Sequence, residues 1–474
     1  MFRLFLFILV TFIPIHAKVD SVTPSPFLGD SLNQTITLAD ERKIGANIYK
    51  NLQKNNYILN DILVTDYVSY LGNKLSRNVD TNRDYVFFVT KSSSVNAFAA
   101  PGGYVGINAG LIALTKNEAQ LAGVIAHELA HVVLRHSAEM MANSNVNSIP
   151  MWIGIFAGLL AGQTEASIAS IQSGIGLSVQ KNINLVRENE IEADAYAAKL
   201  ILKSNYDLSE MANFFRLMQG DANSQSNLNE YFMTHPLYTN RISNIKNKSK
   251  AQTNPVLNST DDYLFIKNIL ISQNSSSRGN ANPTSSSPAI QGHSLALDQY
   301  LKGNFIDAKN TLEAHYLENK FNVYIASLMS DILWANDEKN QARKVLENIL
   351  EVYPDNNAIS FQLIKHNIKD SKALVESVKK LDSIVKKNKN NPKAYKLLAE
   401  GYEKIDEKYY ARLALINFYN LKGNIPMAFT VIDDSLKSDD LSEFQKDNLK
   451  GIKNRILCDG NPPLQPIFGD KTCS

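Results

Sequence analysis

The sequence predicts an α+β protein, mostly helical, in which a domain with a small β-sheet precedes a domain of helical repeats. Three observations lead to this fold class. Residues 85–90 are β-branched and aromatic, as in a strand, and lie among long helical patterns. Residues 272–292 are rich in Ser and Asn and cannot bury enough apolar area to offset their ordering entropy, so they predict a linker. Beyond them, helical patterns recur with a fixed period.

Composition limits the class of protein. The chain has 474 residues, enough for two or three domains of ordinary size. Hydrophobic residues make up 44% and charged residues 20%, which predicts a packed core rather than disorder. The net charge of +2 gives no support to nucleic-acid binding by the whole chain. Two cysteines exclude a disulfide-stapled mini-fold and a Cys-ligated zinc ribbon.

The N-terminus has the layout of a secretory signal peptide over residues 1–17. Arg3 is followed by an apolar run that ends at Pro14, and Ala17 is a small residue suited to cleavage. We therefore expect the mature chain to begin at Lys18 in an extracytoplasmic compartment. An uncleaved N-terminal anchor is the alternative.

A second apolar stretch covers residues 149–162 and has glycines at four-residue spacing. It is shorter than the roughly 18 residues that predict a membrane span. We expect a buried or groove-covering helix, with peripheral membrane contact as the alternative. A membrane-embedded protein would need longer apolar spans than the chain contains outside its first residues.

The region after the linker carries a helical repeat. Gly303 and Ala308 recur as Asp337 and Ala342 after 34 residues, the tetratricopeptide period, in which a small residue lets two helices cross closely. Residues 293–457 are therefore predicted to form tetratricopeptide-like repeats. An ordinary helical bundle is the alternative.

The stretch from Lys365 to Lys396 within these repeats is strongly basic, with ten Lys and three acidic residues. A solvated basic face is the default interpretation of such a run, and a docking site for an acidic partner is the alternative.

The motif His-Glu-Leu-Ala-His over residues 127–131 carries the chemistry. Histidines four residues apart lie on one side of a helix, so both imidazoles can reach one metal ion. Glu128 stands beside the first histidine and can remove a proton from water. Thr115 and Glu118 have capping-box spacing and predict the start of this helix. A purely structural histidine pair is the alternative.

A third metal ligand is predicted further along the chain. Leu134 and Ser137 stand where a metzincin would have Gly and His, so that class is excluded. His136 is one residue out of register, which indicates a surface position or a contact of a ligand. Glu190 and Asp194 share one helix face, so one carboxylate can bind metal while the other orients a ligand imidazole.

These motifs, together with Thr-His-Pro at residues 234–236 and the segment at residues 96–111, resemble the HtpX/BepA-type zinc metallopeptidases. The resemblance covers nearly all of the mature chain, although the tail matches by architecture more than by sequence. It implies a gluzincin-type metallopeptidase domain over residues 18–271.

The resemblance also implies the roles of individual residues. One zinc ion per chain would be held by His127, His131 and Glu190, with Glu128 as the general base and Asp194 assisting the transition state.

The family's His-Pro histidine maps onto His235, and its following arginine maps onto Arg241. His235 could be a fourth zinc ligand that displaces water, a hydrogen-bond donor to the tetrahedral intermediate, or a helix cap.

Substrate binding is expected at the strand of residues 104–108, which the resemblance places along the cleft. An extended substrate could pair with an exposed strand edge there. Asn96, Tyr104, Gly106 and Asn108 are the residues predicted to take part.

The implied function is that of a periplasmic zinc-dependent endopeptidase, with a chaperone-like role, in quality control and assembly of outer-membrane β-barrel proteins. Misfolded or stalled outer-membrane proteins would be its substrates, and the repeats would dock on the β-barrel assembly machinery. The alternative is a repeat-domain chaperone or scaffold whose protease is usually silent. In an oxidising periplasm, Cys458 and Cys473 in the tail of residues 458–474 are expected to pair.

Overall fold

The computed structural model describes residues 36–79, 83–143, 183–221, 229–253, 258–274, 287–387 and 389–458. The predicted signal peptide, the apolar stretch at residues 149–162 and Cys473 lie outside the described residues, so these expectations stay predictions. Within the described ranges, no helix is long and apolar enough to cross a membrane.

The first half of the chain combines helices with three short strands. In order, the described elements are α1 (Leu38–Lys54), α2 (Ile62–Ser76), β1 (Val86–Thr90), β2 (Ala97–Ala100), β3 (Tyr104–Asn108), α3 (Ala109–Leu114), α4 (Glu118–Val133), α5 (His136–Asn143), α6 (Ile183–Lys203), α7 (Leu208–Asp221), α8 (Asn229–Thr234), α9 (Thr239–Ser249) and α10 (Asp261–Asn274).

The three strands form one sheet in the order β1-β3-β2. β1 runs parallel to β3, with Val86 opposite Tyr104, and β2 runs antiparallel to β3, with Ala100 opposite the same residue. The turn between β2 and β3 uses Gly102 and Gly103 at φ +77° and +99°, a conformation that residues with a Cβ rarely adopt. The two predicted strands are confirmed, and β2 was not predicted.

Helix α4 is buried along almost its whole length. It begins after Asn117, whose side chain accepts a hydrogen bond from the backbone N–H of Gln120 at 2.9 Å. The predicted capping box is therefore wrong. Thr115 instead ends α3, and the buried Glu118 carboxylate accepts a hydrogen bond from the Tyr206 hydroxyl at 2.6 Å.

The second half is a succession of helix pairs. They are α11 (Pro288–Leu301) with α12 (Phe305–Glu318), α13 (Val323–Ala335) with α14 (Lys339–Val352), α15 (Asn357–Lys369) with α16 (Leu374–Lys387), α17 (Pro392–Lys404) with α18 (Lys408–Leu421), and α19 (Ile425–Lys437) with α20 (Glu443–Cys458). Their first helices begin 33 to 35 residues apart. The tetratricopeptide assignment stays a prediction, but the expected period continues to the last pair.

The predicted linker is too long at both ends. Helix α10 runs to Asn274 and α11 begins at Pro288, so only the residues between them lack an assigned element, and 275–286 lie outside the described part. Pro288 suits the first turn of a helix because its missing N–H would have no partner there.

The two halves share one hydrophobic core, which continues from Val64 in α2 to Ile359 in α15. At their junction the Phe265 ring stacks on Tyr324 with centroids 5.1 Å apart, and His293 meets Phe265 edge-on at 5.0 Å. The repeats therefore pack on the first domain rather than hang from a tether.

Candidate metal centre

Four buried side chains converge beneath helix α4. His127 and His131 come from α4, Glu190 comes from α6, and His235 follows α8. Each offers one ligand atom, and these atoms all lie within 4.8 Å of one another. The structure therefore brings together the three predicted zinc ligands and the residue predicted as a possible fourth.

The contacts within this cluster suit a metal ion. His127 Nε2 lies 3.0 Å from His131 Nε2, 3.3 Å from His235 Nδ1 and 3.3 Å from Glu190 Oε2. Three imidazole nitrogens and one carboxylate form a donor set that zinc prefers in proteins. The residues present therefore fit the metal that the motif implies.

Helix periodicity explains how the chain builds the cluster. His127 and His131 are one turn apart on α4, and Glu190 stands on α6, which packs against α4. His235 is placed by α8, whose Tyr231 carbonyl accepts the His235 N–H at 2.8 Å. Helices from separate parts of the chain thus supply the four groups.

Asp194 and Arg241 form a second layer around the ligands. Asp194 Oδ1 lies 3.0 Å from His127 Nδ1, close enough to orient the ring, and this predicted role stays a prediction. Arg241 donates to both Asp194 oxygens at 2.7 and 2.9 Å, and its Nη1 lies 2.6 Å from Glu190 Oε2. One buried guanidinium therefore holds both carboxylates of α6 in place.

His136 contacts the ligand His131, much as Asp194 contacts the ligand His127. It is buried, with its Nδ1 2.9 Å from His131 Nδ1 and its Nε2 3.4 Å from Glu192 Oε2. A surface position for His136 is therefore wrong, and the alternative of a contact with a ligand holds. Its placement depends on Arg135, which lies just after α4 at φ +61° and turns the chain toward α5.

The ligand environment sets opposite protonation preferences on the two helix histidines. Burial alone would lower the pKa of His127, but Glu190 and Asp194 outweigh it and raise that pKa to about 9. Burial lowers the pKa of His131 to about 3, which keeps this ring neutral. The two carboxylates therefore favour a positive charge in the centre of the cluster.

Glu128 is fully buried, and within the described ranges neither carboxylate oxygen has a hydrogen-bond donor. Its Oε1 lies 3.3 Å from His235 Nε2 without hydrogen-bond geometry. A buried carboxylate beside a metal-ligand cluster, with free lone pairs, can accept a proton from a water that enters the cluster.

Tyr231 was missed by the sequence analysis. It is fully buried, its ring centroid lies 5.0 Å from that of His235, and its hydroxyl has no hydrogen-bond partner in the part of the chain that the structure describes. Burial and the charge of Glu128 raise its pKa well above the usual range, so the hydroxyl stays protonated. Its position one helical turn before His235 was the available signal.

The predicted substrate edge on residues 104–108 is wrong, because β3 is the central strand and is paired on both sides. Within the described residues, β1 and β2 are the outer strands of the sheet, and an isolated bridge joins Thr90 of β1 to Ile58. Tyr104 and Gly106 therefore pair with neighbouring strands instead of offering main-chain groups to a substrate.

Asn96 and Asn108 are also not in a position to contact a substrate. Both are buried, with exposed fractions of 1% and 0%. The Asn108 amide donates to Ser94 Oγ at 2.9 Å and its oxygen accepts from Thr90 Oγ1 at 2.6 Å, while the Asn96 oxygen accepts the Ala97 N–H. These two side chains hold the loop between β1 and β2.

Comparison with known families agrees with this geometry. Residues 63–249 match the model of peptidase family M48. The chain carries a peptidase domain of family M48. All four clustered groups, Glu128, Asp194 and Arg241 fall inside the matched residues. The protein is therefore a metallopeptidase, and the four clustered groups are where its M48 domain could hold a metal ion.

The relatives extend beyond the M48 domain. The β-barrel assembly-enhancing protease of Escherichia coli is 24% identical over 470 residues, covering 93% of this chain and 94% of the relative. A putative β-barrel assembly-enhancing protease of Vibrio cholerae is 32% identical over 229 residues, 48% of this chain and 47% of its own. The mitochondrial metalloendopeptidase OMA1 of Schizosaccharomyces pombe is 28% identical over 158 residues, 33% of this chain and 44% of its own.

Proposed function

We propose that this chain is a periplasmic zinc-dependent endopeptidase that acts in the quality control and assembly of outer-membrane β-barrel proteins. The observation that carries the catalytic part is the convergence of His127, His131, Glu190 and His235 within 4.8 Å. The likeness to β-barrel assembly-enhancing proteases, which in Escherichia coli covers 93% of this chain, supports the biological part.

In this proposal His127, His131 and Glu190 hold the zinc. When bound, the ion would polarise the peptide carbonyl and acidify water as a Lewis acid. Glu128 accepts the proton of the attacking water and returns it to the leaving amine, since it is buried and its oxygens have no hydrogen-bond donor among the described residues.

Asp194 and Arg241 keep this arrangement rigid. Asp194 lies against the Nδ1 side of the His127 ring, and Arg241 pairs with the two carboxylates of α6. Preorganised groups of this kind lower the reorganisation needed in the transition state.

The repeat region would supply the partner-binding surface. Its five helix pairs follow one another along the chain, and the first pairs share a core with the M48 domain. Tetratricopeptide-like arrays of this kind present a continuous concave face. We propose that this face docks on the assembly machinery and presents stalled outer-membrane proteins to the M48 domain.

The first test distinguishes the loss of the general base from the loss of a metal ligand. Glu128→Gln should abolish hydrolysis of an unfolded protein and retain about one zinc per chain, because the amide cannot take up the proton. Glu190→Ala and His131→Ala should lose the metal. Glu188→Ala, an exposed acidic position on the same helix, is the matched control and should keep both zinc and activity. An unchanged zinc content in both ligand variants would contradict the assignment of Glu190 and His131 as zinc ligands.

A mostly silent protease is the second candidate, and the position of His235 favours it. Its Nδ1 lies 3.0 Å from Glu190 Oε1, among the ligand atoms, so it can occupy the fourth zinc position and exclude water. A site closed by four protein ligands is stable and inert, and opening it would need binding energy from a partner.

His235→Ala tests this second candidate. If His235 blocks the metal, the variant should raise basal proteolysis and self-cleavage by about tenfold or more, which is about 1.4 kcal/mol of bias toward the closed site. The assay is cleavage of an unfolded substrate together with zinc analysis. Lower turnover with zinc still bound would instead assign His235 to stabilisation of the intermediate.

A further inference from the structure

A cavity of about 430 Å³ lies where the start of α2 faces helices α13, α15 and α17. Asn60 and Leu63 line it from the first half of the chain, and Phe361 and Leu397 line it from the repeats. None of the four clustered metal-centre groups borders it. A cavity of this volume accommodates a ligand far larger than a single inorganic ion.

Four lysines line this cavity. Lys365 comes from α15 and Lys369 from its last turn, while Lys393 and Lys396 stand on α17. The ammonium group of Lys393 donates to the Asn60 carbonyl at 2.9 Å. The ammonium groups of the other three have no hydrogen-bond or ion-pair partner among the residues that the structure describes, although the Lys369 carbonyl accepts from Lys404 Nζ at 3.3 Å.

Two of the cavity lysines, Lys365 and Lys393, stand close enough to repel each other. Burial lowers the pKa of Lys393, and the neighbouring charges of Lys365 and Lys91 lower it further against the attraction of Asp61. Burial and the charge of Lys422 likewise lower the pKa of Lys91. A protein does not gain stability by collecting like charges, so a basic cluster at a cavity indicates an anionic ligand.

The acidic residues of the cavity offset only part of this charge, because three carboxylates stand against four lysines. Asp61 accepts the Val64 N–H at 3.2 Å as the cap of α2 and the Gln273 amide at 2.8 Å, and it keeps its negative charge because both donors are neutral. Asp331 lies 3.7 Å from the His366 imidazole. Glu400 is the third acidic residue of the lining, against four lysines.

We propose that this cavity, the lysine groove, binds an acidic, extended segment of a partner polypeptide. The lysines supply attraction for carboxylates, and Phe361 and Leu397 supply apolar surface that a free phosphate would not use. The groove touches both the M48 domain and the repeats, so a bound segment is held by both. This binding is independent of the proposed proteolysis.

The test is binding of a labelled peptide of alternating Glu and Ser to the zinc-loaded full-length Glu128→Gln chain, which cannot cleave it. Fluorescence anisotropy should show saturable binding that weakens as salt is raised. Reversing two groove charges with Lys365→Glu and Lys396→Glu should weaken binding by about tenfold or more, because each change replaces an attraction by a repulsion.

The matched control reverses Lys379 and Lys380, which are exposed on α16 and do not line the groove. It carries the same change in net charge and should alter binding by less than about twofold. If the groove variant does not fold, as judged by its unfolding midpoint, Lys365→Gln with Lys396→Gln replaces it and should still weaken binding more than the control.

Three results would overturn the lysine groove. The first is equal affinity for a peptide of alternating Gln and Ser. The second is an equal loss of affinity in the groove and control variants. The third is lysine-dependent binding of inorganic phosphate or of phosphatidylglycerol vesicles without any binding of the acidic peptide, which would assign the site to phosphate groups.

Discussion

The metal centre and the helical repeats use buried residues in contrasting ways. The metal centre gathers charge in the interior: Glu190 and Arg241 are 2% and 1% exposed and lie within 2.6 Å of each other. The repeats bury small apolar residues at their helix crossings, such as Ala308 and Ala342, both 0% exposed. Buried charge costs free energy unless it is paired, whereas a buried Ala only requires close packing. The contrast separates a region built for chemistry from one built for regular stacking.

The largest effect is expected from breaking the buried ion pairs. Arg241→Met in the zinc-free protein should lower the free energy of unfolding by about 3–5 kcal/mol, because Asp194 and Glu190 then lose their cation. Urea unfolding measures it. The matched control, Arg412→Met, removes an equally bidentate pair with Asp440 on the surface of the repeats and should change the midpoint within experimental error. Equal effects at the two sites would contradict the contrast drawn between the regions.

An intermediate effect is expected at a helix crossing of the repeats. Ala342 is fully buried, and its carbonyl accepts a hydrogen bond from Ser330 at 2.9 Å. Ala342→Leu should destabilise the chain by about 1–3 kcal/mol through overpacking while leaving the zinc content unchanged. Thermal unfolding with metal analysis measures both, and Gln341→Leu on the exposed face of the same helix is the control. A loss of zinc in Ala342→Leu would show that packing within the repeats affects metal binding at the metal centre.

Much of the metal centre follows from helical periodicity. The spacing of His127 and His131 and that of Glu190 and Asp194 each determine which side chains share a helix face, so four of the residues were predicted with their contacts. His136 was predicted less well, because its burial depends on the left-handed turn at Arg135. Such a conformation is uncommon for a residue with a side chain and leaves little trace in the sequence.

Tertiary context decided the features that the sequence did not predict. β2 is Ala-Phe-Ala-Ala, which has little intrinsic strand preference, and it becomes a strand because β3 offers it a partner. That pairing moves β3 to the centre of the sheet and removes the predicted substrate edge. The capping box failed for a similar reason, since Glu118 is engaged by Tyr206 from another helix.

The smallest effect concerns the junction between the two regions. Asp66 on α2 accepts a hydrogen bond from the Ala358 N–H at the start of α15. Burial raises the pKa of Asp66 from 3.8 to about 6, and this hydrogen bond offsets only part of the rise. The folded chain therefore binds the proton more tightly than the unfolded chain. The stability that Asp66 contributes is complete below pH 3.8 and is lost as the pH rises through about 6.

Asp66→Asn keeps the oxygen that accepts from Ala358 and cannot ionise. Relative to the parent, the free energy of unfolding of the variant should rise by about 1–2 kcal/mol when the pH is raised from about 4 to about 7.5. This figure allows for partial solvent screening of Asp66. His293 in the same junction has a pKa lowered to about 4 by burial, and its opposite pH dependence cancels because both proteins contain it. Urea unfolding of the pair at both pH values measures the difference. A stability difference between the two proteins that does not change with pH would show that Asp66 titrates normally. The junction would then resemble the repeats, which bury apolar residues, rather than the metal centre, which buries charged ones.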